Sequence, residues 1–132
     1  PLYSSAASDV YKRQGPYPAE YAGFGIGMAI EADAAVSGNV IEGAPKWGVL
    51  MGWGPFLRSV NFTGNTIRHC GAGVAVSVVE GAGSALISGN LFDTTPDGAI
   101  VGCRWNDVVT KDLAKAGAGR FSHLTLERNV VA

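Results

Sequence analysis

Ser37-Gly38-Asn39-Val40-Ile41 decides how this sequence is read, because it returns. It comes back as Thr63-Gly64-Asn65-Thr66-Ile67 and as Ser88-Gly89-Asn90-Leu91-Phe92, and more weakly as Glu127-Arg128-Asn129-Val130-Val131. The asparagines stand at 39, 65, 90 and 129, in steps of 26, 25 and 39. Three residues before each lies Val36, Phe62, Ile87 or Leu126; two after lies Ile41, Ile67, Phe92 or Val131. A second anchor follows at Gly48, Gly73 and Gly98. Beyond each glycine apolar residues alternate: Val49-Met51-Trp53, Val74-Val76-Val78 and Ala99-Val101-Cys103. That period of two predicts a strand with one buried face. From the glycine to the next asparagine the gap is 17 residues twice and then 31, an insertion of 14. Phe24-Gly25-Ile26-Gly27-Met28 reads as the end of an earlier repeat.

A period near 25 residues, short alternating strands, glycine turns and a fixed asparagine suit a β-solenoid. One coil cannot bury its own apolar face; stacked coils can, with each column touching its copy about 4.8 Å away. A leucine-rich repeat would need a dense Leu pattern and a helical back, and this chain supplies β-branched residues and glycine instead. The repeated [ST]-G-N-x-[IF] with its later Gly-apolar-x-apolar resembles the right-handed parallel β-helix of the pectin-lyase-like superfamily. More narrowly, it is similar to a family of twin-arginine-translocated repeat proteins of unknown function. The resemblance runs from about residue 20 to 132. It implies an all-β fold of about four to five coils with one short helical insertion, and an intact protein that is periplasmic or extracellular. On activity it is nearly silent, because lyases, hydrolases, epimerases and binding proteins share that architecture.

Composition narrows the rest. The 132 residues include 19 glycines, 47% are hydrophobic and 16% charged, and the net charge is -1. Such an apolar chain is not a disordered tail, and the glycines lack the every-third spacing of collagen. No run of about 20 apolar residues exists to span a membrane as a helix. The charge leaves no footprint for nucleic acid. Residues 1–14, Pro1 to Gln14, lack the repeat and end in a stretch resembling translated linker sequence, so they are set aside as a processing or assembly scar. Residues 15–132 then form a β-helix fragment, with the insertion at about 105–120, that stops inside a repeat. The intact protein is expected to be a monomer, and the fragment to self-associate through open coil ends.

Asn39, Asn65, Asn90 and Asn129 fall in one column, where a side chain with two donors and an acceptor builds a structural turn ladder. Cys70 and Cys103 belong to different columns, so two free thiols are expected, with Cys103 in the core. No Cys/His spacing argues for a metal, and no cofactor is implied. His69 reads as a solvated loop histidine. In the insertion, Asn106 or Asp107 is placed to cap a short helix carrying Val108, Val109 and Leu113, with Gly117 where a C-cap belongs. Trp53 shares a column with Val78 and Cys103 and is assigned to the core, while Trp47 stands at a turn with room to be exposed.

The chemistry-bearing column lies seven residues after the strand-opening glycine and holds Pro55, Glu80 and Trp105, preceded by Gly54, Val79 and Arg104. Glu31 is assigned to the same edge two rungs below Glu80. Two carboxylates about 9.6 Å apart approach the spacing of inverting sugar hydrolysis. Trp105 suits stacking on a sugar ring, and Arg104 suits pairing with a uronate. Two functions follow. One is an exported scaffold or carbohydrate-binding surface. The other is a polysaccharide lyase or glycoside hydrolase on an acidic glycan, with Glu31, Glu80 and Arg104 as catalytic candidates and Trp105 binding substrate. A solvated edge with an ordinary salt bridge accounts for the same residues, and whether the chain is an enzyme stays open.

Overall fold

A computed structural model of the chain describes residues 25–132. The segment set aside as a scar lies outside the described residues. Thirteen strands, one 3₁₀ turn and one short helix are present among them. The strands are β1 (Ile26–Ile30), β2 (Ala32–Ser37), β3 (Val40–Glu42), β4 (Trp47–Met51), β5 (Arg58–Thr63), β6 (Thr66–Arg68) and β7 (Ala72–Ser77). Then come β8 (Ala85–Ser88), β9 (Leu91–Asp93), β10 (Ile100–Arg104), β11 (Asp107–Val108), β12 (Leu124–Glu127) and β13 (Val130–Val131). Helix α1 spans Leu113–Ala116.

The chain visits three sheets in turn and then begins again. The first sheet has the order β1-β4-β7-β10-β11, the second β12-β8-β5-β2 and the third β13-β9-β6-β3. All pairings are parallel except β10 with β11. Each residue therefore lies beside its counterpart in the next repeat: Val36 by Phe62 by Ile87 by Leu126, and Ile41 by Ile67 by Phe92 by Val131. These columns turn inward, and most of them join Val49, Val74 and Ile100 in one core cluster drawn from all three sheets. Burying a Phe or Ile fully contributes roughly 1.5–3 kcal/mol.

Close approach explains two of the anchor glycines. A Cβ at Gly73 would lie 2.4 Å from the Ala99 carbonyl oxygen and 2.5 Å from Phe92; one at Gly48 would lie 2.8 Å from the Gly73 oxygen. The glycines before each asparagine answer a different demand. Gly38, Gly64 and Gly89 have φ of 70°, 67° and 67°, with nothing but a backbone nitrogen 4.0 Å away near any of them. Arg128 takes the same place at φ 57°.

The asparagine column is a hydrogen-bonded ladder that runs one way. Asn39 Nδ2 donates to Asn65 Oδ1 (3.2 Å), Asn65 Nδ2 to Asn90 Oδ1 (3.1 Å) and Asn90 Nδ2 to Asn129 Oδ1 (3.1 Å). Each of the same oxygens also accepts the backbone N–H of the preceding asparagine. Further amide bonds reach the carbonyls of Val36, Phe62 and Ile87 on strands one repeat back. Asn65 and Asn90 are each only 1% exposed.

The frame shifts between the third and fourth repeats. Gly73 and Gly98 are 25 residues apart, but β7 pairs with β10 at a step of 26, with Val74 beside Ile100 and Ser77 beside Cys103. Ile100 thus takes the inward place, and Val101 and Cys103 face outward. They sit in a second cluster with Ile26, Trp47, Ala72 and Ala75, on the opposite face of the first sheet. Cys103 is therefore buried, but not in the central core as expected. Trp47 is buried in that outer cluster rather than exposed, and Trp53, assigned to the core, is only half-buried.

Candidate functional site

The edge singled out in the sequence lies where β10 leaves the first sheet. Arg104 is the last residue of β10, and Trp105 turns the chain with φ 57°, costly for a bulky side chain. The turn throws the indole across two repeats onto Gly54. A Cβ at Gly54 would come within 2.2 Å of the Trp105 ring, so only glycine fits beneath it. The ring also meets Trp53 edge-on, with centroids 5.5 Å apart and planes at 74°, a favoured aromatic geometry. Trp105 remains 43% exposed. It is an aromatic plate locked in place with part of its surface open.

Glu80 and Arg104 come together beside it. Arg104 Nη1 donates to both carboxylate oxygens, at 2.9 and 2.8 Å, across one repeat. The Glu80 side chain is 81% exposed. Its own backbone N–H, and then Arg104, hold its carboxyl below the ordinary carboxylate value. A carboxylate so held is ionised at neutral pH and has no proton to give, whereas a general acid needs its pKa raised.

Glu31 does not join this pair. Ile30 lies beside Met51, and Met51 beside Val76, so continuing the register one residue puts Glu31 in the column of Gly52 and Ser77, three residues short of Glu80. It is exposed, and it lines shallow clefts with Ala32, Pro55–Arg58 and Trp53. The column that was to align Glu31 with Glu80 does not form, and the frame shift that moved Cys103 also moves Arg104 and Trp105 by one place. Asp33 pairs instead with Arg58, and Glu42 with Arg68 at 2.5 Å, both across one repeat. The asparagine ladder spends its amides on itself and on backbone, and offers no polar stripe to a ligand. Among the described residues no group of three or more His, Cys, Asp or Glu stands where it could hold a metal.

The insertion is built differently from the expectation. Asp107 and Val108 form β11, antiparallel on β10, and cap nothing. The cap is Asp112, whose carboxylate accepts Ala114 N (3.0 Å), Ala99 N (3.0 Å) and Ile100 N (3.2 Å). It closes the helix start and at the same time ties the insertion to β10. Gly117 ends the helix at φ 83°, its N–H donating to the Leu113 carbonyl at 2.8 Å. The returning arm is pinned by His123, whose Nε2 lies 2.9 Å from the Ser77 carbonyl oxygen. Between that arm and Val78–Ala82 lies a cleft of about 460 Å³, lined by Glu80, Arg120 and His123 among others. His69, expected at a solvated turn, is exposed at φ 55°.

Two features escaped the sequence reading. Lys46 Nζ sits 4.3 Å over the Trp47 ring and donates to Asn106 Oδ1 at 2.8 Å, linking residues 60 apart. Desolvation lowers its pKa. The other is the cleft on the insertion itself, where Lys111, Arg120 and Phe121 meet; the Arg120-Phe121 pair following Gly117-Ala118-Gly119 was the available signal. No helix of the described residues is long and apolar enough to cross a membrane. No family model, curated protein or solved structure matches this chain.

Proposed function

We propose that the chain is a right-handed parallel β-helix from an exported repeat protein, acting in the periplasm or outside the cell as a scaffold with a carbohydrate-binding surface. The succession of three parallel sheets, revisited once per repeat, supports the architecture. One observation carries the function: Trp105 is held rigidly over Gly54 and against Trp53 while 43% exposed. A pre-set aromatic plate beside a charged pair suits stacking on a sugar ring with hydrogen bonds to its hydroxyls, and the rotamer cost of binding is already met. Lyase or hydrolase chemistry finds no support at this edge, where Glu80 is neutralised by Arg104 and Glu31 stands apart.

Affinity electrophoresis through gels containing dissolved polysaccharides, acidic and neutral, tests this reading. At least one polysaccharide is expected to retard the protein, and Trp105→Ala to abolish the retardation without loss of fold by circular dichroism. Glu80→Gln, which breaks only an exposed pair, is expected to leave folding unchanged. Retardation that survives Trp105→Ala, or no retardation by any polysaccharide, refutes the surface. Release of new reducing ends or unsaturated sugars would overturn the non-catalytic assignment.

A further inference from the structure

The insertion carries a second recess, which does not include Trp105 and shares only Arg120 and Phe121 with the cleft that reaches Glu80. Its volume is about 450 Å³, within the range of small-ligand sites. Val109, Leu113 and Phe121 give it an apolar wall, and Leu113 is buried and continuous with the central core. Lys111 and Arg120 stand on its rim. Neither is paired with a carboxylate among the described residues. The acid next in sequence, Asp112, is turned away, its oxygens spent on the N–H groups of Ala99, Ile100 and Ala114. Arg120 is steadied by its position 5.2 Å from the Phe121 ring centroid. The recess therefore joins an apolar wall to two cations outside any ion pair among the described residues, and no acid is in its lining.

We propose that this recess binds a small anion with an apolar body, of the aromatic carboxylate class. The ring lies against Leu113 and Phe121, and the carboxylate is taken by Arg120, whose planar fork matches its two oxygens, with Lys111 as a point charge. A cavity of about 150 Å³ is enough to take up benzene, so a recess of about 450 Å³ holds a ring and its carboxylate together. The site depends on the insertion alone and stands or falls independently of the sugar surface.

Phenylacetate serves as the probe, with phenylacetamide as its uncharged counterpart and acetate as the anion without a ring, each titrated into the whole chain and followed by amide NMR shifts. Phenylacetate is expected to saturate shifts confined to residues 109–121, and the other two to bind at least about tenfold more weakly, the scale of a charge-assisted hydrogen bond. Arg120→Gln is expected to weaken phenylacetate about tenfold, and Trp105→Ala to leave it unchanged. Arg120 is exposed, so its variant keeps the fold, which the unperturbed amide spectrum of the strands verifies. Equal binding of phenylacetate and phenylacetamide, shifts outside the insertion, or full affinity in Arg120→Gln each overturns the proposal.

Discussion

Truncating Asn90 to alanine tests what holds the repeats in register. Its Oδ1 accepts both the backbone N–H (2.9 Å) and the side-chain amide (3.1 Å) of Asn65, and its Nδ2 donates to the Phe62 carbonyl (3.0 Å) and to Asn129 Oδ1 (3.1 Å). All of this happens at 1% exposure, so water cannot replace what is lost. A buried polar group left without its partner costs about 1–3 kcal/mol, and Asn90→Ala strips partners from groups on both neighbouring repeats. A loss of about 3–5 kcal/mol is expected, a large part of the roughly 5–15 kcal/mol a domain has. Asn39 is the internal control. It donates to Ser37 and Asn65, its own Oδ1 accepts nothing among the described residues, and it lies near solvent, so Asn39→Ala should cost under about 1 kcal/mol. Urea unfolding with a shared m-value measures both. Equal losses in Asn39→Ala and Asn90→Ala, or a loss under about 1 kcal/mol at Asn90, would refute the directional ladder.

Three further outcomes are expected. Gly73→Ala should cost about 3 kcal/mol because the new Cβ meets the Ala99 carbonyl and Phe92, whereas Gly64→Ala, at φ 67° with open space, should cost only about 1 kcal/mol; paired denaturant curves compare them. Arg128→Gly should raise stability by about 1 kcal/mol by relieving a left-handed residue in the column that glycine fills elsewhere, which a rise in urea midpoint at constant m-value would register. Burial pushes the Cys103 thiol from 9.0 up to about 12, so the folded chain keeps a proton that the unfolded chain sheds. Stability is therefore complete below about pH 9 and falls as pH climbs toward 12; Cys103→Ala should flatten that alkaline decline in unfolding experiments, and an unchanged profile would refute the assignment.

The columns around the asparagines were legible because two independent constraints repeat there. The turn demands a left-handed residue and the ladder demands an amide, and together they mark the same two positions in every repeat. The glycine anchor misled because glycine answers two demands that look identical in sequence. Gly73 is required by the close approach of Ala99 and Phe92, while Gly98 has φ 125° and sits in the preceding turn, its carbonyl accepting the Gly73 N–H at 2.9 Å. Aligning one with the other moved the residues of β10 and the edge after it by one place. A one-residue slip in a strand exchanges its two faces, so Cys103 went from the central core to the outer cluster. Trp53 was misplaced for another reason: β4 ends at Met51, so the alternation that would have turned it inward stops before reaching it.

The insertion shows why its chemistry was harder to read than its existence. Its length was plain from the gap between Gly98 and Asn129. Its cap was not, because Asn106, Asp107 and Asp112 are all competent helix starters. What separates them is tertiary. Asp112 alone reaches the N–H groups of Ala99 and Ile100 at the start of β10, while Asp107 is drawn into an antiparallel pair with Arg104. That choice has a consequence for function. With its oxygens committed to backbone N–H groups, Asp112 forms no ion pair with Lys111 or Arg120 and stays out of the lining of the recess they rim. Any activity on the insertion therefore follows from a structural bond made elsewhere. An Asp112→Asn variant, which keeps a cap but carries one accepting oxygen in place of two, should loosen the arm and weaken phenylacetate while leaving Trp105 and its polysaccharide contacts intact.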